Sequence, residues 1–195
     1  MWFGGPHQAP QGAPDDIRRN NEGLLALAKQ RPKLQPVAIV HPYAGQAALD
    51  ELARLAGAGV KLIKLHTHTH THTQQLDVDD PCMLVLARKV GEPGLVVLVE
   101  NANIRARVRT GNDFFMDNLC FDLPTTALLA ADSPIAAEFV WTLRNIGIGQ
   151  LLLGSDNPQM PPGKTLDTLE RLDLSDEEKT AIRVGNARRL LGLDE

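Results

Sequence analysis

The sequence predicts an α/β fold in which a parallel sheet is covered by helices. Short apolar runs alternate with amphipathic helical segments along the chain. The runs are continuously apolar, as in strands buried on both faces. Several end in residues with chemistry: His41, His66, Glu100 and Asp156, with Asp122 inside another run. Such residues at the carboxyl ends of parallel strands are where barrels keep active sites. Neither a GxGxxG nor a Walker loop is present, so nothing favours a nucleotide-binding sheet. An open doubly wound sheet and a (β/α) barrel both remain at this point.

The elements follow in order. Met1 to Asp16, rich in Gly, Pro and Gln, reads as loop. Asp16 to Gln30 is helical, with Ile17, Leu24, Leu25, Leu27 and Ala28 on one face, and Pro32 ends it. Val37 to Val40 is a strand. Gln46 to Ala56 is a helix on Leu49, Leu52, Ala53 and Ala56, stopped by Gly57 and Gly59. Val60 to Leu65 is the second strand. Pro81 opens a helix after Asp79 and Asp80, which runs to Val90 and ends at Gly91.

Leu95 to Val99 and Leu119 to Leu123 are the third and fourth strands. Ser133 reads as the N-cap of a helix with Pro134 in its first position and Gly147 past its end. Gln150 to Leu153 is the fifth strand. Ser175 and Glu178 form a capping box that opens the final helical segment, which pauses near Gly185-Asn186 and stops at Gly192. Asn101 to Asn118 fits poorly. A parallel crossover needs a dozen or more residues, usually helical, and this stretch has weak periodicity. Its Arg105, Arg107 and Arg109 read as a solvated face.

Composition narrows the function classes. At 195 residues, with 43% hydrophobic and 23% charged side chains, the chain can build a sizeable core. A net charge of −4 argues against a general nucleic-acid binder. No apolar run reaches the roughly 18 residues of a membrane span, and no signal peptide opens the sequence. The two cysteines, Cys82 and Cys120, make neither a disulfide framework nor a metal knuckle, and fit a reducing cytoplasm. The expected partner is a small-molecule substrate, with no nucleic acid and no membrane.

Three groups of residues could carry chemistry. Gly154-Ser155-Asp156-Asn157-Pro158 follows a strand, and an aspartate there can ligate a divalent metal and take a proton from water. The plainer alternative is an Asx turn before proline. His66, His68, His70 and His72 alternate with threonines, which in an extended chain puts four imidazoles on one face. So regular a repeat also reads as a loose, incidental metal tract; His66 differs because it directly ends a strand. His41 ends another strand and reads as a hydrogen-bonded structural residue. No GxSxG or reactive-cysteine context is present, and Cys82 at a helix start reads as buried.

The runs GVKLIKLH (Gly59 to His66), LVVLVEN (Leu95 to Asn101), LLLGSDNPQ (Leu151 to Gln159) and LSDEEKTAIRVGNARRLLGL (Leu174 to Leu193) resemble amidohydrolase-related proteins, the metal-dependent hydrolase and decarboxylase branch. The resemblance implies a (β/α)₈ TIM-type barrel with one catalytic divalent metal, usually zinc. It implies hydrolysis of C–N or C–O bonds, or decarboxylation of aromatic and related acids. Asp156 matches the family's aspartate after the last barrel strand, a metal ligand and the base that takes a proton from the activated water. Glu100 stands where many members carry a metal-binding histidine, and His66 is the third expected ligand.

The chain departs from that pattern. The paired His-x-His or Glu-x-His of the first strand is absent, and a strand ending in a catalytic histidine is missing between Asn101 and Asn118. A barrel of this type runs to about 250 residues. The expectation is therefore a partial barrel over residues 1–195, one domain, with about five of eight strands recognisable and the N-terminal strands and an internal β/α unit missing. Unpaired strand edges would favour a homo-oligomer or a strand-supplying partner. A non-catalytic remnant binding metal loosely through the His-Thr tract is the alternative to an enzyme.

Overall fold

The computed structural model describes residues 14–65, 81–100, 118–123, 125–155, 157–158 and 160–193. These divide into two compact units. The first holds the described residues up to 99 together with 118 and 119; the second holds 100 and those from 120 onward.

In the first unit, β1 (Val37–Ile39), β2 (Leu62–Leu65) and β3 (Val96–Glu100, all but its last residue) run parallel in that order. Ile39 lies opposite Lys64, and Lys64 opposite Leu98. Val97 also donates its N–H to the Asn118 carbonyl at 2.7 Å. The strands are apolar along their length because both faces are covered: Ala38, Ile63, Leu65, Val97, Leu98 and Val99 are all fully buried.

Helices α1 (Pro14–Gln30), α2 (Gln46–Gly57) and α3 (Pro81–Gly91) belong to this unit. The buried side of α2 is Ala48, Glu51, Leu52 and Leu55. The expected face was one position out of phase: Ala53 is exposed, and Leu49 and Ala56 are half-buried. A buried carboxylate on that face defeats an apolar count. On α1, Leu27 is exposed, and the fully buried positions are Ile17 and Asn21.

Two helix ends here use one device. At the end of α2, Gly59 donates to Ala56 and Val60 to Leu55, with Gly59 at φ 82°. At the end of α3, Gly94 donates to Gly91 and Leu95 to Val90, with Gly94 at φ 77°. These are Schellman closures, which need a left-handed residue and favour glycine. α3 ends at Gly91, as predicted, and Gly94 supplies the left-handed residue of the turn beyond it. Because Val60 is spent closing α2, β2 begins at Leu62 rather than Val60.

In the second unit, β4 (Leu119–Asp122, without its first residue) pairs in parallel with β5 (Leu151–Leu152), Phe121 opposite Leu151 and Asp122 opposite Leu152. β5 is shorter than the predicted Gln150 to Leu153. Gln150 is tied into a 3₁₀ turn by its bond to Gly147, and Leu153 donates to the Ile182 carbonyl instead of a strand. Around this pair lie α4 (Thr125–Ala131), α5 (Ala136–Ile146), α6 (Pro162–Arg171), α7 (Asp176–Thr180), a π-helical segment (Ala181–Gly185) and α8 (Asn186–Leu191). Helices α4 and α6 were not predicted.

Ser133 is not the N-cap of α5. Its hydroxyl donates to Ala130 at the end of α4 and accepts from Ile135, so it shapes the turn between the helices. The core of this unit is Phe121, Leu123, Leu143, Leu151, Leu169 and Ile182. α8 ends at Gly192 in a third Schellman closure, with Gly192 at φ 66° and Leu193 donating to Arg188. No described helix is long and apolar enough to cross a membrane.

Candidate functional site

The first unit has two buried polar groups near the carboxyl ends of its strands. His41 follows β1, is fully buried, and continues extended at φ −117°, ψ 122°. Its Nδ1 accepts the Tyr43 N–H at 3.2 Å, capping the short 3₁₀ turn Pro42–Ala44. This is the structural role the sequence assigned it. Lys64 sits within β2, only 2% exposed. It was not singled out in the sequence, although a lysine between apolar neighbours in a run buried on both sides is the signal that marks it. Lys64 stands in register with Ile39, two residues before His41, so the period of two places His41 and Lys64 on one face of the β1–β2 ladder.

Behind β1 lies a second polar group. Asn21 of α1, fully buried, accepts the Ile39 N–H through Oδ1 at 3.0 Å. Its Nδ2 donates to the Ile39 carbonyl and to Glu51 Oε1, both at 2.9 Å. Glu51 in turn receives Arg54 at 2.6 and 2.8 Å. Burial works against the Glu51 charge, but the hydrogen bonds from Arg54 and Asn21 and the Arg54 charge outweigh it. The carboxyl is held below its ordinary 4.5.

In the second unit, Asp122 closes β4 and is 8% exposed. Gly154, two residues past β5, packs against it. A Cβ on Gly154 would meet the Asp122 Cβ at 3.3 Å and its carboxylate at 3.7 Å. The glycine of the Gly-Ser-Asp element thus makes room for a carboxylate at the end of the adjacent strand. The Asn157–Pro158 peptide that follows is cis.

Of the expected ligands, Glu100 is the last residue of β3, where the sequence placed it at the strand end. His66 and Asp156 lie outside the described residues, as do His68, His70, His72 and Arg105, Arg107 and Arg109. Among the described residues, no group of three or more His, Cys, Asp or Glu could hold a metal ion. The described side chains therefore build no metal centre by themselves. The expected set of two carboxylates and one imidazole is chemically suited to a divalent cation. Cys120 is a buried thiol in β4 that forms no disulfide.

Residues 102–193 match the amidohydrolase family. No curated protein matches the chain by sequence. Among solved structures, the chain is similar to a 2,6-dihydroxybenzoate decarboxylase from Rhizobium, with a TM-score of 0.68 at 15% identity over 100% of this chain and 83% of that one. It is similar to a dihydroxybenzoic acid decarboxylase from Polaromonas that holds manganese and the inhibitor 2-nitroresorcinol, with a TM-score of 0.60 at 14% identity over 98% of this chain and 80% of that one. An uncharacterised TIM-barrel protein from Bordetella bronchiseptica gives 0.63 at 19% identity over 88% of this chain and 72% of that one. The parallel strands and their helices are thus those of a TIM-type barrel, of which the described strands form a part.

Proposed function

We propose, from the match of residues 102–193 to the amidohydrolase family, that the chain is an amidohydrolase-related, metal-dependent hydrolase of C–N or C–O bonds in small acyl compounds. The observation that carries this reading is the exit of β5. A strand parallel to its neighbour ends at Leu152, Gly154 and Ser155 follow at its carboxyl end, where barrels place their chemistry, and Asp156 is the next residue in the sequence. Gly154 fits against the buried Asp122, so the element is built into the strand end rather than appended to it.

In this proposal Asp156, Glu100 and His66 hold a divalent cation, zinc by preference. When bound, the cation supplies Lewis-acid polarisation of the substrate carbonyl. Asp156 takes the proton of the attacking water and passes it to the leaving group.

A second reading, decarboxylation of an aromatic acid, is supported by the similarity to the Rhizobium and Polaromonas enzymes. There Asp156 or a neighbour would deliver a proton to the ring carbon that loses carbon dioxide.

The test uses a chain in which His68, His70 and His72 are alanine, titrated calorimetrically with zinc, with and without Asp156→Asn. One tight site that Asp156→Asn removes is the expected result. Simple esters and lactones, then 2,6-dihydroxybenzoate, separate hydrolysis from decarboxylation. No tight site in either protein, with no turnover, would make the chain a non-catalytic barrel relative.

A further inference from the structure

The side of β1 facing away from β2 is paired with no described strand, yet Ile39 keeps both of its backbone hydrogen bonds there. The Asn21 carboxamide accepts the Ile39 N–H and donates to the Ile39 carbonyl. That two-way exchange is what the opposed residue of a neighbouring strand makes in a hydrogen-bonded pair. The third capacity of the amide goes to Glu51, and Glu51 is fixed by a two-pronged bond from Arg54. Every hydrogen-bonding atom of the Asn21 side chain is therefore used, and the side chain is fully buried.

The strand so covered is Val-Ala-Ile, apolar, with a buried residue at every position. A strand of that composition with an open backbone edge is a template for another chain. We propose that Asn21 is an edge guard: its amide occupies the pairing groups of Ile39, and its removal opens β1 to a second copy of this chain.

The experiment compares the full chain with Asn21→Ala and Asn21→Asp. The first removes both bonds to Ile39. The second keeps the volume and an acceptor but cannot donate to the Ile39 carbonyl. Amide exchange over Val37–Val40, read by mass spectrometry, reports the edge directly. Light scattering over a concentration series reports association.

In Asn21→Ala, exchange over that segment should rise at least about tenfold, and apparent mass should climb with concentration where the unaltered chain's does not. Asn21→Asp, which sets a buried carboxylate against the Ile39 carbonyl and the Glu51 carboxylate, should raise exchange at least as much as Asn21→Ala. Faster exchange without association would mean that the amide only satisfies the backbone, and would overturn the guard. Unchanged exchange would overturn it as well. If neither variant folds by circular dichroism, Asn21 serves folding alone and the proposal fails.

Discussion

Asn186 does at β5 what a polar side chain can do only when buried. It is 5% exposed, and its amide donates to the Ile148 carbonyl at 2.7 Å and to the Leu151 carbonyl at 2.8 Å. One side chain thus ties α8 to the 3₁₀ turn before β5 and to the strand itself. Asn186→Ala would leave two carbonyls without their donor, at a cost of about 1–3 kcal/mol. Asn186→Asp should cost more, because a carboxylate cannot donate and brings a charge against two carbonyl oxygens. Urea unfolding of the two variants against the parent checks both the loss and its order. The sequence showed Asn186 only as a pause in a helical pattern, and Asn21 not at all. An apolar count skips polar residues on a buried stripe. Yet Asn21 lies four residues after Ile17 and four before Leu25, and that spacing was the available signal.

At the scale of the element, helix ends were more legible than helix faces. Gly59 and Gly192 were both predicted as stops, and each closes its helix with a left-handed glycine. The capping box was legible too. Ser175 Oγ accepts the Glu178 N–H at 3.2 Å, and Glu178 accepts the Ser175 N–H at 2.8 Å. What the sequence could not show is that Glu178 also holds Arg144 of α5 through paired bonds of 2.9 Å, while Arg144 reaches the Asp173 carbonyl. Such a contact joins residues 34 apart and leaves no local pattern. Ser175→Ala should therefore cost about 1 kcal/mol, the ordinary value of a lost cap. Melting of that variant should show a smaller loss than Glu178→Ala, which forfeits the reciprocal bond and the tie to α5 as well. Equal losses would mean that the Arg144 contact contributes nothing. Helices α4 and α6 escaped prediction because their stabilising contacts are with each other. Most helical stability comes from such packing rather than from propensity.

For the molecule as a whole, the alternation of apolar runs and helices carried the fold class, because strands buried on both faces announce themselves in composition. The candidate site was less legible. Strand-end positions came through for His41 and Glu100, while Asp122, read as inside its run, proved to close β4, and the roles of all three depend on neighbours brought in by other strands. A property that draws on each unit is stability in acid. Hydrogen bonding from Arg144 is the main cause that holds Glu178 down at about 2, with Ser175 adding to it. In the first unit, burial opposes the Glu51 charge, but Arg54 and Asn21 prevail and lower that carboxyl too. A lowered carboxylate binds fewer protons folded than unfolded, so stability rises with pH through the window between the two values. Both contributions are thus present above the ordinary carboxylate value of 4.5. They fade as pH falls from there, down to about 2 for Glu178. Amide exchange measured from pH 6 downward should show protection falling below that ordinary value in segments of each unit. Glu51→Gln should flatten the fall around β1 and α2 and leave α7 as before. Arg144→Met should flatten it at α7 and leave β1 as before, since the charge that each carboxylate answers to lies in its own unit. A fall that neither substitution alters would place the acid response in other carboxylates.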